Sequence, residues 1–483
     1  MFTIRSKSLI KSFLRHSHTY IDHYDLSTTG ISLNEFQQRR QALVNLIRNY
    51  IKTQKEDKTS TNFTICLPAS SRLFMGPDVA YFPFKQQSDF YYLTGCMQPD
   101  ALLLLNGNDQ TYSTSLFLPP CPMTLIDEYE RWFGPTIKNK EQICEIFGID
   151  HVYPMNQLTT WKIPSSSVLF HNSQLIDDAS INKKNLVPFF KRFSTSTVCN
   201  QLNHFLHSLR SIKSTTEQDL LRHACQLTSS AFIQTIKNCK KRIDNEYLIQ
   251  ARFQYECARL GSTSMAFYPV VAAKGRSNVL HYQKNDQPIT KDDLIMLDGG
   301  CLYKQYAGDI TRLWPMNGRF TSAQQQLYEI LLTVQKDLIG YFSSGDKSIS
   351  RSKLNAVADQ YMIKYLREEF ILSRSIDERD AKRIVNDLCP TSVSHHLGLD
   401  VHDCEAIPFS EPLQSGNVIT IEPGLYIPWD CQDVPLMYRG FATRIEDDVL
   451  ITDQGYEVLT KSCPKEVNDL YKLLDERDRT SIE

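Results

Sequence analysis

The stretch Leu294-Ile-Met-Leu-Asp298-Gly-Gly-Cys-Leu-Tyr-Lys-Gln-Tyr-Ala-Gly-Asp309-Ile-Thr-Arg312 decides how this chain is read. Two apolar runs flank a centre rich in glycine and polar residues, the pattern of an antiparallel hairpin. With the turn near Tyr303 and Lys304, Asp298 and Asp309 are equidistant from it and face each other across the strands. Like charges directly opposite destabilise a strand pair. Two ionised carboxylates so close raise each other's pKa unless a cation lies between them. A bound divalent metal resolves the conflict. A turn-capping aspartate beside a solvated one accounts for the same two residues without a metal.

A second pair repeats the logic. Val418-Ile-Thr-Ile-Glu422 is strand-like up to its glutamate, and Phe441-Ala-Thr-Arg444-Ile-Glu446-Asp-Asp-Val-Leu-Ile451 is strand-like as well. An unpaired charge in such apolar surroundings costs several kcal/mol. Arg444 and Glu446 are two apart and share a strand face. A surface Arg–Glu pair would explain Glu446 and leave Glu422 unexplained. Between the pairs lies Ser394-His395-His396-Leu-Gly-Leu-Asp400-Val-His402-Asp403, with three histidines in eight positions. Two Asp, two Glu and one His make an oxygen-rich set that favours manganese or a similar hard ion over a thiolate zinc site. Four carboxylates balance two divalent ions, which fits a two-metal site.

Composition bounds the rest. The chain has 483 residues, and 53 Lys plus Arg against 55 Asp plus Glu give a net charge of -2. That balance offers no basic excess for a nucleic-acid partner. No apolar run approaches a membrane span. Thirteen cysteines are scattered, odd in number and without a CxxC pair, so they are read as reduced thiols in an intracellular compartment.

Residues 1–21 carry Arg5, Lys7, Lys11 and Arg15, recurrent serines and no acidic residue. This is the composition of a mitochondrial transit peptide. A basic tail on a cytoplasmic protein is the alternative. From residue 22 to about 208, Leu33 to Ile51 reads as a helix behind a capping box of Ser32 and Glu35. Asn62–Leu67, Phe90–Leu93, Leu102–Leu105 and Ser115–Leu118 read as strands, so this half is an α/β domain. Ser214 and Glu217 form a second capping box before a helix running to about Lys237. The domain boundary is placed near 205–213, giving domains 22–208 and 209–483.

Several motifs together resemble the aminopeptidase P (Xaa-Pro aminopeptidase) family, peptidase family M24, and its mitochondrial, intermediate-cleaving branch in particular. Ile31-Ser-Leu-Asn-Glu-Phe-Gln-Gln-Arg-Arg40, Gln87-Ser-Asp-Phe-Tyr-Tyr-Leu-Thr-Gly95 and Trp132-Phe-Gly134 are similar to its N-terminal domain. The four stretches around Asp298, His395, Glu422 and Glu446 are similar to its catalytic motifs in order and spacing. The resemblance implies a creatinase-like N-terminal domain followed by a pita-bread metallopeptidase domain of class α/β (α+β). It implies that Asp298, Asp309, His395, Glu422 and Glu446 bind two divalent ions, manganese being favoured, with Asp309 and Glu446 between them. His281, in Leu280-His-Tyr-Gln-Lys-Asn285, falls where the family has a catalytic, substrate-binding histidine. His402 matches a second such histidine, Arg444 an arginine beside the metal ligands, and Tyr426 a tyrosine near the substrate pocket. Tyr91 matches an aromatic position that in some members reaches a neighbouring subunit's site.

The implied activity is release of the N-terminal residue from a peptide or protein, preferentially ahead of proline, by a metal-activated hydroxide. Members of the mitochondrial branch also trim single residues from imported proteins. A matrix location and a homo-oligomer, dimer or tetramer, follow by the same resemblance. A prolidase would share all five ligands and differ in its N-terminal domain. A non-catalytic pita-bread module would have lost ligands that this chain keeps. One departure is plain: the family's histidine four residues before the metal histidine is here Thr391, in Cys389-Pro-Thr-Ser-Val-Ser-His395.

Overall fold

A computed structural model describes residues 17–19, 21–22, 29–54, 61–73, 82–122, 127, 130–131, 136–163, 167–172, 188–189, 198–239 and 245–479. It divides into two compact units at the Leu209–Arg210 bond, within the helix Leu202–Ser211.

The first unit contains strands β1 (Ser17–Thr19), β2 (Ile21–Asp22), β3 (Phe63–Pro68), β4 (Leu102–Gly107), β5 (Tyr112–Leu118), β6 (Pro120–Pro122), β7 (Thr136–Ile137), β8 (His151–Pro154), β9 (Val168–His171) and β10 (Val198–Cys199). Six of them form a mixed sheet in the order β10-β9-β3-β4-β5-β8. Leu102 to Leu105 are all buried, which is why β4 reads as an unbroken apolar run instead of an alternating one. Ser32 Oγ accepts from the Glu35 N–H at 3.2 Å and starts the helix Leu33–Gln54.

The expected strand at Phe90–Leu93 is instead part of the helix Ser88–Thr94. The Gln87 side chain accepts from the Phe90 N–H at 2.6 Å, and Gly95 closes the helix with φ 67°. Every residue of this helix is buried, so the segment carries no amphipathic period to separate it from a strand. Buried Arg39 and Arg40 hold it by donating to the Tyr92 and Leu93 carbonyls.

Of the leader placed at residues 1–21, the part up to His16 lies outside the described residues, as does Trp132–Gly134. Ser17–Thr19 pairs with β6, and Ile21–Asp22 pairs with β7.

The second unit adds β11 (Ser264–Met265), β12 (Val270–Ala273), β13 (Leu294–Gly299), β14 (Cys301–Tyr303), β15 (Tyr306–Ala307), β16 (Ile310–Pro315), β17 (Val418–Ile421), β18 (Gly424–Ile427), β19 (Phe441–Arg444), β20 (Asp447–Thr452) and β21 (Gly455–Val458). The helix Thr215–Asn238 opens on the expected capping box: Glu217 N–H donates to Ser214 Oγ at 3.2 Å, and Ser214 N–H donates to the Glu217 carboxylate at 3.0 Å. Glu217 also accepts from Tyr306 Oη at 2.8 Å, which ties the helix start to the hairpin.

That hairpin differs from expectation in one respect. Its turn is centred on Lys304 and Gln305, both with positive φ, not on Tyr303 and Lys304. A shift of one residue in the turn moves the register by two. Asp298 therefore pairs with Thr311, and Asp309 is its diagonal neighbour instead of its direct partner. The strand period of two keeps both carboxylates on one face. Gly300 and Gly308 allow the strands to cross closely, since a Cβ on Gly300 would lie 1.7 Å from the Gly308 carbonyl oxygen.

The segment from Val418 to Ile451 forms two antiparallel pairs, β17–β20 and β18–β19, interrupted at Glu422 and Glu446. The two hairpin systems meet at a single bridge between Thr311 and Glu446. Arg312 fastens the back of this junction. It is 0% exposed and donates to the carbonyls of Thr311, Glu446, Cys463 and Pro464 and to the Asp447 carboxylate. Two apolar clusters flank the junction, one around Leu327, Leu331 and Ile419, the other around Phe232, Phe253 and Trp314.

Arg312→Leu should lower stability by about 3–5 kcal/mol in urea unfolding, because it strands a buried carboxylate and several carbonyls. Arg312→Lys should still cost more than about 1 kcal/mol, since one ammonium cannot span the acceptors of a guanidinium fork. Losses below that for both would show that the junction does not depend on this side chain.

Candidate active site

Asp309 follows Gly308, immediately before β16, and is 3% exposed. Its N–H donates to Asp448 Oδ2 at 2.9 Å, while its own Oδ1 is buried with no hydrogen-bond partner among the described residues. Two positions on, Thr311 Oγ1 donates to Glu446 Oε2 at 2.6 Å and accepts from Arg444 Nε at 3.0 Å. Arg444 also donates to Asp298 Oδ2 and to the Tyr426 hydroxyl. Strand alternation explains this division: Arg444 and Glu446 face the site, and Asp447 faces Arg312 behind it.

His395 comes from the loop after the helix Glu378–Leu388 and is pinned to β17 by its N–H to Thr420 Oγ1 at 3.1 Å. Its Nδ1 lies 3.1 Å from the His396 carbonyl, which can only accept, so Nδ1 carries the proton. Nε2 then turns a lone pair toward Glu422 Oε1 at 3.3 Å and Asp309 Oδ2 at 3.7 Å. Acceptors facing one another need a proton or a cation between them.

Electrostatics agrees with the geometry. Burial first, and then Glu446 and Asp298, push Asp309 far above the carboxylate range. Burial and Glu422 do the same to Glu446. Burial raises Glu422 to about 7 against the pull of Arg444. Burial lowers His395, keeping its imidazole neutral and able to ligate. Asp309, His395 and Glu446 place ligand atoms within 4.8 Å of one another. Asp298 stands beside them through Arg444, and Glu422 through His395. The orphaned Asp309 oxygen and the facing lone pairs fit a hard divalent cation with oxygen and imidazole donors.

The other expected residues divide. The His402 ring lies 4.4 Å from that of His395 at 66°, exposed on its outer side, and desolvation and His395 lower its pKa. His281 is exposed on the loop after the 3-10 turn Lys274–Asn278, and it is among the groups acting on His402. Tyr426 is buried with its hydroxyl accepting from Arg444, and burial raises its pKa to about 12. Tyr91 belongs to the first unit, where it is 2% exposed and packs edge-on against Phe36. Thr391 is exposed in the loop leading to His395.

Three contributors were not singled out from the sequence. Thr311 was recoverable, two residues from Asp309 on the same strand face. Thr420 likewise precedes Glu422 by two. Asp448 was hidden in the acidic run after Glu446; it bridges the Asp309 N–H and the Cys225 thiol, and burial raises it to about 8.

Comparison with known proteins adds the following. The family model described as aminopeptidase P, N-terminal domain, matches residues 36–164, and that of metallopeptidase family M24 matches residues 219–453. Xaa-Pro aminopeptidase 3 of Homo sapiens is 33% identical over 468 residues, covering 92% of this chain and 87% of the relative. The mitochondrial intermediate cleaving peptidase 55 of Arabidopsis thaliana is 34% identical over 464 residues, covering 95% and 86%. The structure of zinc-substituted Escherichia coli aminopeptidase P in complex with product superposes with TM-score 0.79 at 29% identity, covering 92% of this chain and 99% of that one.

Asp309→Ala and Glu446→Ala should each abolish bound metal and turnover; full activity of either in metal-free buffer would remove the metal reading. Because the site carries protons when empty, loading a divalent ion should release them, and affinity should weaken from about pH 8 to about pH 6. The sign for stability is opposite. Glu422, raised from 4.5 to about 7, contributes stability to the metal-free protein that is present below about 4.5 and lost as pH rises through about 7. Thermal unfolding of metal-free protein across that window, with and without added Mn(II), checks both.

Proposed function

The chain belongs to the aminopeptidase P group of metallopeptidase family M24 and is a hydrolase with the aminopeptidase P fold, its creatinase-like domain preceding the pita-bread domain, and we propose that it releases single N-terminal residues, preferentially from peptides and proteins with proline second. The observation that carries this reading is the convergence of Asp309, His395 and Glu446, with Asp298 and Glu422 beside them, on one buried spot. We assign two divalent ions to these five residues, with Asp309 and Glu446 shared. Manganese suits the oxygen-rich donors. Such ions supply a nucleophilic water near neutral pH and polarise a carbonyl oxygen.

The protein's own groups do the rest. Glu422 can take a proton on its carboxylate and deliver it to the departing nitrogen. His402, whose ring lies beside that of His395, and His281, which acts on His402, would donate to the scissile carbonyl as charge develops on its oxygen. Arg444 fixes Asp298, Thr311 and Tyr426 in one arrangement. Tyr91 is retained as a substrate contact only across a subunit boundary, in the homo-oligomer, dimer or tetramer, that belongs to the same proposal.

A mitochondrial location, and trimming of imported proteins there, is supported by the basic, acid-free residues 1–21 and by the Arabidopsis thaliana relative, whose name is mitochondrial. A cytoplasmic location is the alternative. Among the described residues no helix is long and apolar enough to cross a membrane. The match of residues 36–164 to the aminopeptidase P N-terminal domain favours this reading over a prolidase.

Matched peptides with and without proline at the second position, assayed with Mn(II) and again with chelator, test the proposal. Loss of one residue, faster ahead of proline by at least about tenfold and abolished by chelator, is expected. Cleavage of Xaa-Pro dipeptides alone would instead make it a prolidase. Thr391→His tests the departure from the family pattern. If a donor is missing at this loop, the substitution should raise turnover on Xaa-Pro peptides, because one well-placed donor to an oxyanion is worth roughly a hundred- to a thousandfold. A change below about twofold would show that His281 and His402 suffice.

A further inference from the structure

Glu246 opens the helix Glu246–Arg259 and is 0% exposed. A carboxylate so placed is costly unless its oxygens are hydrogen-bonded. Its Oε1 accepts from the Ala273 N–H at 2.9 Å and Arg276 Nε at 2.7 Å. Its Oε2 accepts from Tyr282 Oη at 2.7 Å and the Gln287 N–H at 3.2 Å. All four donors lie between Ala273, the last residue of β12, and Gln287, and the loop in this segment carries His281. A second buried group holds the same loop. Asn285, with φ 47°, accepts from the Val271 N–H at 3.0 Å and donates to the Pro269 carbonyl at 2.6 Å.

The loop's other flank is tied to the site itself. Asn278 Nδ2 donates to the Ile427 carbonyl at 3.3 Å, and Ser277 Oγ accepts from the Ala442 N–H at 3.0 Å. Those acceptor and donor residues lie on β18 and β19, the strands that carry Tyr426 and Arg444. His281 is exposed between these fixings, directly before the buried Tyr282. An exposed imidazole on an untethered loop would sample many positions. A misplacement of about 1 Å can cost on the order of a hundredfold in rate.

We propose that Glu246 is a positioning residue for catalysis: through Tyr282, Arg276, Ala273 and Gln287 its carboxylate holds the loop that presents His281 to the substrate. The proposal rests on the reading of His281 as a substrate-binding group. It assigns to a residue outside the metal cluster, on a helix and not on the catalytic strands, a share in the rate.

Double-mutant cycles test it. Glu246→Gln and Tyr282→Phe should each lower kcat/KM on an Xaa-Pro peptide by about five- to fiftyfold, with Mn(II) stoichiometry unchanged. In a His281→Ala background each should then change it by less than about twofold, because what they position is gone. A merely structural role would give the same loss in both backgrounds and overturn the proposal. Wild-type activity of both variants, with His281→Ala impaired, would also overturn it. Full activity of His281→Ala alone would remove the underlying reading, and the proposal with it. Should Glu246→Gln fail to fold, Tyr282→Phe deletes one hydroxyl and carries the cycle.

Discussion

Everything in the second unit is arranged around carboxylates buried at the meeting of two hairpins. Asp309, Glu446 and Glu422 are each driven above the ordinary carboxylate range by burial; Glu446 and Glu422 push Asp309 up further, and Glu422 does the same to Glu446. No apolar core tolerates such a cluster without compensation. The chain supplies it unevenly. Behind the junction, Arg312 and Lys465 serve Asp447 fully, and its pKa is held to about 2 although burial alone would raise it. In front, Arg444 reaches Asp298, while Asp309 keeps an oxygen without a partner among the described residues. Three consecutive acidic residues therefore have different fates because a strand alternates. Glu446 faces the site, Asp447 the arginine behind, and Asp448 turns back to the Asp309 N–H.

The same junction explains where the backbone must be bare. The Gly300 and Gly308 backbones approach each other too closely for a Cβ on Gly300. A Cβ on Gly308 would meet Thr228 Oγ1 at 2.7 Å. Gly398 faces Asp403 in the same way, with 2.3 Å between its notional Cβ and Asp403 Oδ2. Asp403 follows His402 and is clamped by Arg210 and Lys213, so this histidine loop also hangs from a buried carboxylate. His402 thus directly precedes an ion-paired buried acid, Asp403, and His281 directly precedes Tyr282, which donates to the buried Glu246. Rigid anchoring behind an exposed side chain is how loop residues acquire the precision that catalysis requires.

Much of this was legible in the sequence, for identifiable reasons. The capping box at Ser214 and Glu217 is a local interaction and was read correctly. The hairpin face was read correctly because a period of two survives an error in the turn, whereas the direct pairing of Asp298 with Asp309 did not survive it. The helix at Ser88–Thr94 was misread because full burial erases periodicity. That one histidine of the 395–402 stretch joins the two carboxylate pairs was read from the donor types, but the choice of His395 came from the family motifs, since nothing in spacing brings residues so far apart together. The anchoring acids Glu246 and Asp403 could not be distinguished from surface acids, since their character lies in the distant donors that surround them.

Charge counting from sequence alone is also altered by the fold. Four carboxylates against two divalent ions balance, but the count omits Arg444, which is 6% exposed and in contact with Asp298. At such burial its charge belongs to the site and is little screened by solvent. A hydroxide nucleophile adds one negative charge, so with the two ions we propose Arg444 would bring the site back to balance. His395 does not change this, because burial keeps it neutral. Arg444 acts on the proposed ligand set directly, by holding the Asp298 carboxylate, the Tyr426 hydroxyl and Thr311 in one arrangement. Its place two residues before Glu446, on the same strand face, makes that compensating charge a consequence of strand geometry.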